Sequence, residues 1–431
     1  MMKHSLVEIR MTLNLRNILN TALRFGTLGV RFLFVFFMAR YLNASSLGYY
    51  GIFTATISYA LYGVGLDYYV YSTREVLSVT NAKRGLMVKS QAAMVSLFYL
   101  ALLPVAVIIL SQSKWPEHLA WFFLPILILE HLNQEVSRLL IVLSEQITAS
   151  LILFVRQGSW AIIAVVIMSL RPSTRNLDMA MMLWACSGLA AATLGLWKLR
   201  QLRLGGWRDS IDWKWVKKGI SVSGTFLVAT LALRAIQTAD RYWLQGLVGI
   251  QIVGAYVLFV GVANALMVFL DAGIFSFIYP ELIDHFYKNE LTQFRHKVKK
   301  MLSFAIFLSI GFGVASSLLL PYLLNWIGKP IYENEIYLYF WILGAAILNV
   351  VSMVPHYALY ARGQDKPIVI SHIAALPVFA LSTWALSYAH PASAVPIGVC
   401  LAFLLVLIWK SISYFYVLRA EDRHTLSVQL Q

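Results

Sequence analysis

The stretch Ile252 to Glu281, IVGAYVLFVGVANALMVFLDAGIFSFIYPE, decides the fold class. At a rise of 1.5 Å per residue, about 20 apolar residues cross the ~30 Å hydrocarbon core of a bilayer, and this run exceeds that length. Comparable runs recur from end to end of the chain. Of the 431 residues, 59% are hydrophobic and only 13% charged, where soluble domains carry roughly a quarter charged residues. The ten-residue alternation of a membrane β-barrel is absent. In lipid the backbone must then satisfy its polar groups within helices. The expected fold is all-α and integral to a membrane, with about twelve transmembrane helices.

Those spans are placed at 17–40, 46–68, 87–111, 118–141, 147–170, 178–199, 217–240, 252–281, 299–324, 334–360, 367–389 and 394–417. With a cytoplasmic N-terminus, 25 of the 35 Lys and Arg fall on the inside. Six fall outside, namely Arg40, Lys114, Arg171, Arg175, Arg241 and Lys329. Such a bias puts both termini in the cytoplasm. It also gives the net charge of +15 a topological origin, and nucleic acid is not an expected partner. Cys186 and Cys400 both lie in apolar runs and read as small buried hydrophobes. The segment up to Met11 has no cleavable signal pattern and reads as a basic lead-in at the cytoplasmic surface.

The linker around Gly205-Gly206-Trp207, with Trp213 and Trp215 among Lys and Arg, divides the chain near its middle. Tryptophans in a basic segment suit a membrane interface. The expected organisation is a six-helix bundle over 1–205, an interfacial linker over 206–216 and a second six-helix bundle over 217–431. The halves echo each other. Ala39-Arg40-Tyr41-Leu42 precedes Leu47-Gly48-Tyr49-Tyr50, and Asp240-Arg241-Tyr242-Trp243-Leu244 precedes Val253-Gly254-Ala255-Tyr256. Asp67 closes the second span, and Asp271 lies near the cytoplasmic end of the corresponding eighth. Halves with an even number of spans enter from the same side, so they form a parallel repeat, as in many transporters.

The informative residues are charges placed where charge is costly. An Arg near the centre of a span costs roughly 2.5–3.5 kcal/mol. Four lie within spans: Arg24, Arg31, Arg156 and Arg234. Arg24 and Arg31 are two turns apart and share one face of the first span, and Arg234 sits at similar depth on its repeat partner. Guanidinium groups facing a bundle interior suit an anionic substrate, because Arg binds phosphate bidentately and stays charged. Pairing with carboxylates or snorkelling to an interface is the plainer alternative. Arg156 faces Glu130 of the neighbouring antiparallel span at mid-depth, which fits a structural pair. Glu135 and Arg138 have helical pairing distance. Glu130 and His131 are alternatively candidates for a coupling proton or Na⁺, and Asp67 and Asp271 for helix caps or gating residues. Prolines 104, 125, 280, 355 and 377 fall in or beside spans, where they kink helices or simply pack.

No phosphate-binding Gly-x-x-x-x-Gly-Lys-Ser/Thr loop occurs, and the nine histidines form no zinc motif. No cofactor or metal is expected, and an enzyme is not.

In these features the chain resembles the polysaccharide-export and lipid-linked oligosaccharide (O-antigen-type) flippases of the multidrug/oligosaccharidyl-lipid/polysaccharide exporter superfamily. The resemblance rests on Ala39 to Leu42, Gly48-Tyr49-Tyr50-Gly51-Ile52, Gly65-Leu66-Asp67 with Arg74-Glu75, Ala239 to Leu244, Val253 to Tyr256 and Tyr279-Pro280-Glu281. It spans nearly the whole chain. It implies two six-helix bundles around a cationic cavity that opens alternately to either side of the bacterial inner membrane. The implied cargo is an undecaprenyl-diphosphate-linked glycan for O-antigen, capsule or exopolysaccharide, bound by Arg24, Arg31 and Arg234. The implied partners are membrane lipid, a polysaccharide polymerase and a chain-length regulator, with coupling to a H⁺ or Na⁺ gradient in some relatives. An ion-coupled multidrug exporter of the same superfamily would carry acidic cavity residues instead. A glycan polymerase or ligase would carry a large external loop, and the loops here are short.

Overall fold

The structure is a computed structural model that describes residues 2–111 and 115–429. Its elements are α1 (Met2–Tyr41), α2 (Ala44–Gly65), α3 (Tyr69–Ser78), α4 (Asn81–Ser111), α5 (Glu117–Val142), α6 (Gln146–Phe154), α7 (Trp160–Leu170) and α8 (Leu177–Gln201). There follow α9 (Trp213–Val248), α10 (Ile250–Leu270), α11 (Ser276–Tyr287), α12 (Leu291–Ile327), α13 (Pro330–Asn334), α14 (Tyr337–Tyr360), α15 (Asp365–Ser387) and α16 (Pro391–Gln429). π-Turns at Val155–Ser159 and Asp271–Phe275 join α6 to α7 and α10 to α11. Each of the twelve expected spans coincides with a helix or with one of these joined pairs. Among the described residues nine helices are long and apolar enough to cross a membrane, or ten with α9. α2 falls short because Gly, Ser, Thr and Tyr dilute its apolar residues, and α5 because Glu130, Glu135 and Arg138 interrupt it. Pro104, Pro125, Pro280, Pro355 and Pro377 all lie inside helices that continue through them.

The chain forms two compact units, one of residues 1–42 and 53–227, the other of 43–52 and 228–431. The expected linker groups with the first unit, and the division falls inside α9. The reason is visible in the backbone. Gly205 N–H donates to the Asn81 carbonyl at 2.9 Å, and Gly85 N–H donates to the Gly205 carbonyl at 2.7 Å. Lys89 Nζ donates to the carbonyls of Trp207 and Asp209 at 3.1 and 2.6 Å. The start of α4 thus holds the linker down. Of its tryptophans, Trp207 and Trp213 are exposed while Trp215 is buried against Tyr68 and Tyr71. Burial, with Glu75 and Asp212 nearby, holds the Tyr71 hydroxyl above its ordinary range.

The core of the first unit is aromatic: Phe53 packs on Trp115, Phe123 and Trp184, and Trp184 stacks on Trp160 at 5.4 Å and 6°. In the second unit α16 lies against α14 and α15, and α14 also against α10 and α12. Residues 43–52 close on α10 through glycine. A side chain on Gly48 would meet the Ile250 carbonyl, one on Gly254 the Ala44 carbonyl and one on Gly51 the Val257 side chain. Small residues four apart let helices approach this closely. Gly48 and Gly254 are the repeat-related glycines of the sequence, each meeting the residue four before the other.

Candidate functional site

In the first unit α1 runs beside α6, its π-turn and α7, and polar contacts rung the seam. Arg24 Nε donates to Ser150 Oγ at 3.0 Å, and Ser150 in turn donates to Asn20 Oδ1. Arg31 Nη1 donates to Gln157 Oε1 at 2.9 Å. Higher on the same seam the Tyr41 and Ser169 hydroxyls lie 3.0 Å apart. The first two rungs join residues 126 apart, and the last joins residues 128 apart. The π-turn accounts for the change, because it packs extra residues into the same helical advance. Arg24 and Arg31 are exposed side chains with neutral partners. Among the described residues no carboxylate pairs with either. The seam therefore presents two unneutralised guanidinium groups, two turns apart, inside a membrane-spanning length.

Arg156 occupies the same π-turn as Gln157 but points the other way. It is 6% exposed, with Nη1 3.4 Å from Glu130 Oε2 and 3.1 Å from the Glu130 carbonyl. Trp184 Nε1 donates to the remaining Glu130 oxygen, Oε1, at 2.8 Å. Glu130 thus has both carboxylate oxygens engaged. His131, the adjacent candidate, faces elsewhere. Its ring lies 5.8 Å from Tyr99, its Nε2 is buried without a hydrogen-bond partner, and the bare Gly65 leaves room for it. Glu130 and His131 do not converge on one site.

At the end of α5, Glu135 accepts from Arg138 at 2.7 Å and from Gln91 at 2.6 Å. Arg138 also covers the Tyr69 ring at 3.6 Å. Asp67 and Leu66 turn the chain from α2 into α3 with φ of 51° each, a left-handed pair that strains L-residues. Asp271, its repeat counterpart, sits differently: it opens the π-turn, and the helix runs on to Tyr287. Asp271 thus lies where α10 passes into the π-turn, inside the expected eighth span. Tyr357 Oη lies 3.5 Å from Asp271 Oδ1.

Arg234 belongs to the second unit, where its Nη1 donates to Gln237 Oε1 at 2.8 Å. An Arg with a Gln partner thus recurs on α1 and α9. One turn or so further on, Asp240 is buried, accepting from Tyr256 Oη at 2.8 Å and pairing with Arg241 Nη1 at 2.9 Å. The first half has Ala39 in place of Asp240. Among the described residues no group of His, Cys, Asp and Glu is placed to hold a metal ion.

Sequence reasoning missed Ser150 and Gln157 as the partners of the α1 arginines, and it counted Lys410 among the cytoplasmic charges. Lys410 is in fact 1% exposed. The signal was available in helical spacing. Ala402, Val406, Lys410 and Tyr414 form one buried i, i+4 stripe, as do Ile152, Arg156, Trp160 and Ala164.

No family profile and no curated protein matches the sequence. Solved structures do match. A multidrug resistance MATE family transporter of the MOP superfamily, in an inward-facing conformation, has a TM-score of 0.77 over 92% of this chain and 96% of that one, at 12% identity. The lipid II flippase MurJ, in an inward closed conformation, has 0.69 over 93% and 87%, at 11% identity. A point mutant of the Vibrio cholerae MATE transporter VcmN has 0.60 over 94% and 98%, at 13% identity. At such identities the likeness establishes architecture. The chain is a multi-pass, all-α membrane protein with the fold that MATE transporters and MurJ share.

Proposed function

We propose that this protein is a flippase that carries an undecaprenyl-diphosphate-linked oligosaccharide across the bacterial cytoplasmic membrane by alternating access. The observation that carries the reading is the α1 seam: Arg24 and Arg31 exposed in a spanning helix and held by neutral Ser150 and Gln157. An Arg that met hydrocarbon there would be costly, so such residues line polar cavities. Neutral partners orient a guanidinium while leaving its charge for a ligand. On α9, Arg234 likewise donates to a glutamine, Gln237. A diphosphate is the complementary group, with the sugars in the cavity and the polyprenyl tail left in lipid. Among the proteins that share the fold, MurJ is described as a lipid II flippase, which supports a lipid-linked cargo. The charge bias supports both termini in the cytoplasm, and a polymerase and chain-length regulator would act on the delivered repeat unit.

The MATE neighbours favour a second reading, extrusion of small drugs. A cationic drug needs carboxylates, and the exposed intramembrane charges on α1 are arginines. The discriminating experiment is flipping of a labelled undecaprenyl-diphosphate oligosaccharide in proteoliposomes. Arg31→Ala and Arg234→Ala are expected to lose activity with expression intact, and Lys at either position to recover part of it. Full activity in the double alanine variant would sink the proposal, and drug sensitivity on gene deletion would favour the second reading.

A further inference from the structure

The second unit buries a cation that has no anion beside it. Lys410 of α16 is 1% exposed and makes no hydrogen bond or ion pair among the described residues. α14 and α15, the helices packed against α16, carry His356 and His372. The two rings lie 6.1 Å apart and nearly parallel, at 13°. The charge of Lys410 reaches both rings. His356 Nδ1 is buried without a hydrogen-bond partner.

Among the described residues no carboxylate of the surrounding elements pairs with Lys410. α10 is uncharged from Ile250 to Leu270. On α11, Glu281 pairs with Lys297 and Asp284 with Lys288. Glu421 of α16 takes Arg362 at 3.2 Å and Arg295 of α12 at 3.6 Å. Asp365 opens α15, seven residues before His372, and its Oδ1 is buried without a hydrogen-bond partner. Asp271 faces Tyr357, and Tyr414 lies under Arg362. Lys410, His356 and His372 are left as three bases with one another for company.

We propose that Lys410, His356 and His372 form a proton-binding site that takes up and releases a proton during the transport cycle; the coupling to transport rests on the flippase reading. A charge on any one of the three is uncompensated, and charges on two repel, so the cluster is suited to exchanging a single proton. A metal cation is disfavoured by the lysine. A diphosphate would need room and access, which a side chain 1% exposed does not give. A proton needs neither. It would bond to the lone pair of Lys410 Nζ or of an imidazole nitrogen and return to water by the same path. The path is marked by titratable side chains: His356 stacks on exposed Tyr360 at 6.3 Å and 11°. On its other side it lies 5.6 Å from Tyr357, whose hydroxyl approaches Asp271. Asp271 is exposed on the π-turn, and such turns frequently mark functional positions in helices.

The test uses the full chain in proteoliposomes, with flipping of the labelled diphosphate lipid recorded at equal pH and across a pH difference. One coupled proton allows the wild-type rate to respond by up to about tenfold per pH unit. Lys410→Met, Lys410→Arg and the milder His372→Asn are each expected to lose that response, measured against the same variant at equal pH. A wild type that flips without any response, or variants that keep it, would overturn the proposal. If the wild type does not flip at all, the flippase reading fails, and proton uptake by purified protein in detergent decides about the site. With an indicator dye, wild type should bind about one proton more than Lys410→Met over the neutral range, and equal uptake would overturn the site itself.

Discussion

Each unit places a cation in its interior on an i, i+4 stripe of core residues, and the two are treated in opposite ways. In the first unit Arg156 meets a carboxylate, Glu130, whose other oxygen is taken by the Trp184 indole. In the second unit Lys410 is buried where α16 packs on the histidine-bearing α14 and α15, and among the described residues it has no carboxylate partner. A buried ion pair fully hydrogen-bonded is a fixed feature: removing either partner strands the other. A buried base without an anion carries no such penalty, because it sheds its charge when it gives up a proton. The chemistry of Arg and Lys fits the division. Arg stays charged and matches a carboxylate in a planar fork, whereas Lys titrates when buried. Burial of charge inside a span is therefore not one signal but two, told apart by what stands opposite.

The largest effect that tests the contrast is on the paired side. Glu130→Gln keeps the shape and still accepts from Trp184, but it leaves Arg156 without its anion. A loss of about 3–5 kcal/mol is expected, as for other broken buried pairs. Equilibrium unfolding in mixed micelles would measure it. Adding Arg156→Met should recover most of the loss, since the double variant strands no charge. A single variant that unfolds like wild type would remove the distinction between the two units.

The paired site was largely legible in the sequence, and the unpaired one was not. Glu130 and Arg156 lie at matching depth in adjacent antiparallel spans, so spacing alone brings them together. The twelve spans were legible for the same reason, because hydropathy and length are local properties. His356, His372 and Lys410 sit on three helices, and only the packing of α16 between α14 and α15 gathers them. The histidines form no motif along the sequence, and Lys410 counts with the cytoplasmic charges. The partners of the α1 arginines were hidden too. A π-turn changes helical register, and nothing in the residues Val155 to Ser159 announces it beyond Gly158. The linker groups with the first unit because Gly205 N–H donates to the Asn81 carbonyl and Gly85 N–H to the Gly205 carbonyl, and such backbone bonds leave no trace in side-chain patterns.

A contact where the repeats agree provides the control. Gly48 and Gly254 meet each other's helices in the same way, each against a backbone carbonyl. Gly48→Ala and Gly254→Ala should therefore each destabilise by about 1–3 kcal/mol, the usual range for overpacking, and by similar amounts. Thermal unfolding of the two variants checks this. A cost at one glycine alone would show that the repeat in the sequence is not a repeat in the packing.

The smallest effect is expected at Lys410, and its sign matters more than its size. Methionine is unbranched and adapts to the space that a lysine stem leaves. Lys410→Met removes an amine that bonds to nothing and strands no partner. The midpoint of unfolding should shift by less than about 1 kcal/mol, or towards greater stability, as when unsupported buried polar groups give way to apolar ones. Raising the pH should then narrow the difference between wild type and variant, because the wild-type cluster is uncharged once it has lost its proton. A loss as large as that of Glu130→Gln would mean that Lys410 has an anion after all, and the two interiors would then be alike.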